Sequence, residues 1–495
     1  MNKDSFDFCL KQIRSEVDDE EIGFRMSGDK AKPVHFATGF FRGILGQHAD
    51  TDLLSRLVYV VNAKGQIKRG CEISEIMEEL RDQDIIENEI AQDDVQALRV
   101  MMQSLLNADS AVFGEKGNSV SYSAASEQFV TSKARYEEVG EVGAGIIKEA
   151  CPELSEFVKK LLRDQSDEIS LLFSPIKCDM IPVDEDIGRL PKWASKQNNN
   201  TAWQNYIKSV QTSGKCLQEN IEGQPKLLAI RTVVQFAIFH LIRYLSKQEV
   251  FHNSDTSDVL PFLAVYADIR RSSLIDSSKS SVFQIGQSLA RFYASSYSKK
   301  FRDYNLLFRD LMRIDQAPIY DAKKTPTKSD KKKAEQNNEV WKSAKNVAKD
   351  ESDETKGLWQ LGSAIHNMVA TSSDTNPDKY IRGLGLRTGI LYPATPRVKP
   401  YFRFSQDITS MLILSTIHKD ENLAGDVFLL RLRDNFDVVT GALENDFDFC
   451  SDHLRMMRID EDELAKNGEA FIDQICDMGY GQILADGIFR VSMGE

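Results

Sequence analysis

Ile319-Tyr320-Asp321-Ala322-Lys323 has the form of a metal-dependent nuclease motif, an apolar lead into D-x-K. In that chemistry two carboxylates hold a divalent cation and the lysine positions or activates water. Asp303, Asp310 or Asp315 would supply the upstream carboxylate. The match lies at the mouth of a lysine-rich stretch with no clear strand pair to hold the ligands together, so chance composition is the plainer reading. Other catalytic signatures fail. Ser213-Gly214-Lys215-Cys216 has a cysteine after its lysine, and Ser209 where a phosphate-binding loop needs its first glycine. Gly140-Glu141-Val142-Gly143-Ala144-Gly145 lacks G-x-G-x-x-G spacing, is flanked by Glu137 and Glu138, and reads as a flexible connection. The seven histidines show no H-E-x-x-H pattern, and His240, inside an apolar run, reads as a core histidine. No G-x-S-x-G elbow occurs. Seven scattered cysteines, never spaced C-x-x-C, point to reduced thiols and exclude a disulfide framework or zinc ribbon. No cofactor and no metal are expected, and the balance is against an enzyme.

The strongest anomaly is one of charge. The 495 residues hold 62 Lys and Arg against 75 Asp and Glu, a net charge of -13. Such a balance excludes a uniformly basic coat for nucleic acid. Between Arg270 and Lys333, however, fifteen basic residues meet six acids, a local excess of +9 that leaves the remainder at -22. Arg270, Arg271, Arg291, Lys299, Lys300, Arg302, Arg309, Lys331, Lys332 and Lys333 are the candidate nucleic-acid-binding residues. Aromatic residues between them, Phe283, Phe292, Tyr293, Tyr297, Phe301, Tyr304 and Phe308, recur near helical spacing, and most of them should face a core while the cations face water. Each phosphate neutralised by such a face releases a counterion and strengthens binding. The bland alternative is a solvated helix face followed by a solubilising linker.

These residues must be held by a mainly α-helical, multidomain chain with small β hairpins. Hydrophobic residues make up 41% and charged residues 28%, enough apolar material for real cores, so global disorder is excluded. A first helical domain is expected over 1–136, with a winged-helix-like unit in which the stripe Val95 to Asn107 precedes a hairpin around Gly114-Glu115-Lys116-Gly117. A central helical domain over 137–320 carries the basic segment. Pro152 and Pro225 open helices there, and Leu227 to Leu245 reads as the centre of the largest core. Arg231, Gln235, His240 and Arg243 make that run too costly for a bilayer, so no membrane is expected. Val259 to Tyr266 reads as a buried strand. A lysine-rich linker is expected over 321–356, where apolar residues nearly vanish. The last domain, 357–495, is expected to be winged-helix-like. Gly383 to Pro393 is read as extended, Ser405 caps a helix, and Asp486-Gly487 turns a terminal hairpin. Its third helix carries Asp462, Glu463, Lys466, Glu469 and Asp473, an acidic face that favours protein contact over DNA reading.

Gly385-Leu386-Arg387-Thr388-Gly389-Ile390-Leu391-Tyr392-Pro393, followed by Tyr401-Phe402-Arg403-Phe404-Ser405-Gln406-Asp407 and the terminal hairpin, resembles accessory subunits encoded beside ATPases in bacterial anti-phage defence operons. The resemblance covers about the last quarter and contains no catalytic motif. It implies a non-catalytic partner of a DNA-translocating or DNA-modifying complex; joined to the basic segment, the expectation is an adaptor subunit of a DNA-targeting complex that contacts DNA or another polyanion and has an ATPase or nuclease subunit as protein partner, and the location expected is cytoplasmic. The acidic start Glu16-Val17-Asp18-Asp19-Glu20-Glu21, without a basic and apolar leader, agrees with that location. A metal-dependent nuclease and a purely structural interaction subunit are the alternatives.

Overall fold

The computed structural model describes residues 3–26, 31–50, 73–83, 126–127, 130, 138–167, 170–171, 178–184, 188, 190–191, 193–194, 200–252, 260–268, 272–317, 328–351, 353–372, 377–395, 398–454, 457–485 and 487–493. They form a mainly helical protein with small sheets. In chain order these are α1 (Lys3–Glu16), a π-helical turn (Val17–Ile22), α2 (Pro33–Leu45), β1 (Gln47–Ala49), α3 (Ile73–Asp82), α4 (Glu138–Ala150), α5 (Pro152–Arg163) and β2 (Met180–Pro182). Next come α6 (Thr201–Ile221), α7 (Lys226–Ser246), α8 (Gln248–His252), β3 (Phe262–Leu263), α9 (Ser273–Asp303), α10 (Phe308–Met312), α11 (Lys328–Asp350) and α12 (Glu354–Ser372). The last part contains α13 (Pro377–Thr388), β4 (Leu391–Tyr392), β5 (Tyr401–Phe402), α14 (Gln406–Leu414), β6 (Asn422–Ala424), α15 (Gly425–Phe436), β7 (Val438–Val439), α16 (Asp446–His453), α17 (Glu461–Asp477), β8 (Gly481–Ile483) and β9 (Phe489–Ser492).

The central helix α7 starts after Pro225, which occupies its N-cap, and buries nearly every residue from Ala229 to Ser246. It is long and apolar enough to cross a bilayer, yet its surface is covered by protein. Phe236, Phe239 and Tyr244 are wholly buried within the principal apolar cluster. That cluster also takes in Phe6, Phe40, Ile147, Tyr297, Trp341, Leu361, Phe402 and Val491. Its members come from the segments 1–136, 137–320, 321–356 and 357–495 alike.

Three local expectations are corrected. Gly140 to Gly145, read as a flexible connection, lies inside α4. Gly140 and Gly143 face α2: a Cβ on Gly43 would stand 2.6 Å from the Ala144 Cβ, and one on Gly140 would enter the Phe36 carbonyl. Missing side chains here permit close helix contact. Gly383 to Thr388, read as extended, closes α13, and the helix stops before Gly389, whose φ of 81° is left-handed. Residues 328–350, expected within the linker, form the 23-residue helix α11. Lys, Ala, Glu and Gln are good helix formers, and one narrow stripe suffices to dock it. Trp341 is fully buried, its ring 6.0 Å from that of Phe6, and its indole N–H donates to the Ile314 carbonyl at 2.8 Å. Lys345 Nζ donates to the same carbonyl at 3.0 Å.

Not every sheet is a hairpin. β3 and β7 pair in parallel, Phe262 with Val438 and Leu263 with Val439. Asn467 of α17, wholly buried, holds this pair's surroundings: its Oδ1 accepts from Tyr266 and Ala267 N–H, and its Nδ2 donates to the Ala264 and Thr440 carbonyls. At the end of the chain β6, β9 and β8 form a three-stranded antiparallel sheet in that order. The stretch 95–122, where the first winged-helix-like unit was expected, lies outside the described residues, as does Asp486 of the terminal turn.

Candidate functional site

The basic segment splits into cations tied to the protein's own carboxylates and cations facing water. Arg291 Nε donates to Glu249 Oε1 at 2.6 Å. Lys300 Nζ lies 2.7 Å from Glu16 and 3.1 Å from Glu20, and Tyr304 OH also donates to Glu16. Burial works against the Lys300 charge, but the two glutamates outweigh it and raise the ammonium pKa. Arg291 and Lys300 therefore belong to an internal network and leave the expected binding face. Lys299, Arg302, Arg309, Lys331, Lys332 and Lys333 are exposed and form no ion pair within 4 Å with a described residue. Of the aromatics, Phe292, Tyr293, Tyr297 and Phe301 are buried and Tyr304 and Phe308 half-buried, whereas Phe283 is exposed. Arg270 and Arg271 lie outside the described residues.

Asp321 and Lys323 of the nuclease-like motif lie outside them too. The upstream carboxylates have other occupations: Asp310 pairs with Arg313 at 3.6 Å and Asp315 with Lys345 at 3.4 Å, while Asp303 is exposed. Among the described residues no group of three or more His, Cys, Asp or Glu side chains is placed to hold a metal ion.

Ser213-Gly214-Lys215-Cys216 sits in the middle of α6, where backbone N–H groups are used by the helix. Its side chains instead enter two polar clusters. In the first, His240 and Ser213 are wholly buried, and Ser213 Oγ lies 3.3 Å from His240 Nε2. Arg243 Nη1 donates to His240 Nδ1 at 3.2 Å and to Ser209 Oγ at 3.0 Å, and Arg243 Nε donates to Asp437 at 2.8 Å. Lys247 Nζ adds a 3.0 Å contact to the same carboxylate. A guanidinium on Nδ1 leaves the imidazole proton on Nε2. Burial, then Arg243, push the His240 pKa well below the ordinary value, so the ring cannot take a proton from serine. A serine, a histidine and an aspartate meet here without the order or access of a catalytic triad. The network fastens α7 to the turn after α15.

The second cluster is a thiol, an imidazole and a carboxylate in series. Cys216 Sγ lies 3.6 Å from His418 Nε2, and His418 Nδ1 lies 2.7 Å from Glu219 Oε2. Glu421 accepts the His418 backbone N–H and binds Arg431 through both oxygens at 2.7 and 2.8 Å. An open depression of about 510 Å³ adjoins it, lined by Glu219, Glu222, His418, Lys419, Asp420 and Glu421. The order is that of nucleophile, base and orienting acid. Two facts count against reactivity: Cys216 is 1% exposed, and burial followed by Glu219 and Glu421 pushes its thiol up to about 12. The arrangement is a clasp between α6 and the turn after α14. Sequence reasoning missed it because 202 residues separate cysteine from histidine and no spacing rule links them.

Comparison with protein-family models, with curated proteins and with solved structures found no match.

A third cluster surrounds Asp18 in the π-helical turn. Tyr293 OH donates to Asp18 Oδ1 at 2.8 Å, and Arg14 Nε lies 3.7 Å from Oδ2. Burial raises the Asp18 pKa to about 6, against the opposing pull of Arg14 and Tyr293. A carboxyl that holds its proton more tightly when folded favours the fold at low pH and costs stability as pH rises from about 4 through 6. Buried His366, stacked 4.8 Å from Tyr293 and lowered to about 4, acts in the opposite sense, so wild type and variant must be compared directly. Asp18→Asn is expected to match wild type near pH 4 and to exceed it by up to about 3 kcal/mol at pH 7.5 in urea unfolding. Equal stability of the two proteins at pH 7.5 would refute the assignment.

Proposed function

We propose that the protein is a non-catalytic, cytoplasmic adaptor subunit of a bacterial DNA-targeting complex of the anti-phage defence kind. It contacts DNA through Lys299, Arg302 and Arg309 and the lysines at the start of α11. The carrying observation is that Lys331, Lys332 and Lys333 stand exposed on an ordered helix in a chain of net charge -13. Cations held on a helix lose less freedom on binding phosphate than cations on a loose linker.

A winged-helix-like reading of the C-terminal unit supports an adaptor. Its order is α14–β6–α15–β7–α16–α17–β8–β9, and the three-stranded sheet β6–β9–β8 at the end of the helices supports this reading, with β7 and α16 as additions to it. The helix in the recognition position, α17, begins with Glu461, Asp462 and Glu463, which repel phosphate and suit a basic protein surface such as that of an ATPase or nuclease subunit. The likeness to accessory subunits of defence operons points the same way.

The test is binding to a fluorescent 30-base-pair duplex across a salt series. Wild type should bind more weakly as salt rises, and the triple variant Lys331→Gln, Lys332→Gln, Lys333→Gln should lower the log–log salt slope by about three. Absence of duplex binding at low salt, or an unchanged slope in the variant, would overturn the DNA contact.

A further inference from the structure

The sequence that contains the β4–β5 ribbon holds a second concentration of positive charge. Between residues 377 and 404 the sequence holds Lys379, Arg382, Arg387, Arg397, Lys399 and Arg403 against the single acid Asp378, an excess of +5. This window shares no residue with the basic segment of α9 to α11.

The register explains which side chains it presents. Leu391 pairs with Phe402 and Tyr392 with Tyr401. Leu391 and Phe402 point inward, 4% and 1% exposed, so Tyr392 and Tyr401 share the opposite face. Tyr401 is itself buried, in the smaller cluster with Leu263, Val265 and Val439, whereas Tyr392 is 49% exposed. The Tyr401 ring meets Tyr392 edge-on, 5.7 Å between centroids at 74°, and Arg403 Cζ lies 5.5 Å from the Tyr392 centroid. An exposed ring is thus braced by a buried ring and accompanied by a guanidinium. Thr395 and Val398 between the strands are held as well: Arg382 of α13 donates to their carbonyls, each at 3.0 Å. Lys399 and Val398 on that loop are exposed.

We propose that this ribbon is a binding platform for single-stranded nucleic acid, with a base stacked on Tyr392 and the backbone phosphates held by Lys399 and Arg403. The occupant follows from two features together. Positive charge on an anionic chain selects a polyanion, and an exposed aromatic face beside a guanidinium selects a polyanion that carries stackable rings. A duplex keeps its bases stacked on one another and offers this tyrosine nothing but phosphate. The platform is independent of the α11 lysines, so either surface can fail alone.

The experiment is fluorescence anisotropy with a labelled 20-nucleotide oligo-dT and a duplex of equal length, at 50 and 200 mM salt. Wild type should bind oligo-dT, more weakly at the higher salt. Tyr392→Ala should weaken oligo-dT binding by about tenfold or more and leave duplex binding unchanged, while Tyr392→Phe, which retains the ring, should bind as wild type. Lys399→Glu, at an exposed position, should weaken oligo-dT binding without the need to alter the ribbon. The α11 triple variant should leave oligo-dT binding intact. No oligo-dT binding by wild type at 50 mM salt, or wild-type affinity in both Tyr392→Ala and Lys399→Glu, overturns the platform. So does capture on anionic phospholipid vesicles by a protein that leaves oligo-dT free, which assigns the patch to a lipid surface.

Discussion

Asp437→Asn is expected to destabilise the protein by about 3–5 kcal/mol, the cost of leaving a buried charge without its partner. Asp437 takes Arg243 at 2.8 Å and Lys247 at 3.0 Å, and neither cation has another carboxylate among the described ion pairs. Burial pulls the Asp437 pKa up, but Arg243 and Lys247 together outweigh it and hold the carboxyl below its ordinary range. A carboxyl lowered by folding contributes stability above its unfolded value near 4, and loses it as pH falls through the folded value. Asparagine keeps the size of the side chain and tolerates the left-handed φ of 57° at this residue, so the substitution isolates the charge. Urea unfolding at pH 7 checks the magnitude, and the same series toward pH 3 should show the wild type losing its advantage. A variant as stable as wild type at pH 7 would mean that the two cations are solvated and the network is not structural.

Trp341→Ala should cost a comparable amount, about 3–5 kcal/mol, because it empties a fully buried site of the largest side chain available. The expected result is more specific than a loss of stability. The indole N–H donates to the Ile314 carbonyl, which Lys345 shares, so removing the ring takes away the contact of α11 with Phe6 of α1 and one of its hydrogen bonds to the 314–317 turn, leaving its packing on α12. Hydrogen exchange along 328–350 should accelerate in the variant before the rest of the molecule unfolds. If α11 were merely a solvated helix, exchange there would be fast in wild type and unaffected by the change. This measurement also bears on DNA binding, since the same helix carries Lys331, Lys332 and Lys333.

Much of the helical frame was legible because local signals and tertiary contacts agree. Pro152 and Pro225 start helices where the sequence places them, Ser405 accepts the Ile408 N–H as the cap of α14, and the apolar run after Gln224 is the core helix. The failures share a cause: residue types were weighed by their usual effect on an isolated chain. The α4 glycines read as loop because glycine loosens a free segment, yet here they bring α4 against α2. The lysine-rich stretch read as linker because its apolar content is low, although helix propensity was high and one tryptophan with two alanines, Ala344 and Ala348, carries the docking. The β3–β7 pair is two residues long on each side and joins segments far apart in sequence, so no periodicity could announce it. For the functional surface, composition found the basic segment but not which cations are neutralised at home. Glu16 and Glu20 lie more than 250 residues from Lys300, and only the fold brings them together. The charge of the Tyr392 ribbon is no higher than that of many solvated stretches, and it becomes informative only because Tyr392 faces outward beside it.

The fastening of α7 by Asp437 has a temporal side. Arg243 leaves the ribosome 194 residues before the aspartate it requires, which at roughly 5–20 residues per second is a wait of about 10–40 s. Throughout that interval the one described helix long and apolar enough to cross a bilayer carries an unanswered guanidinium and has no finished groove to enter. Nascent chains arrested before residue 437 should therefore depend on chaperones to a degree that chains released beyond it do not.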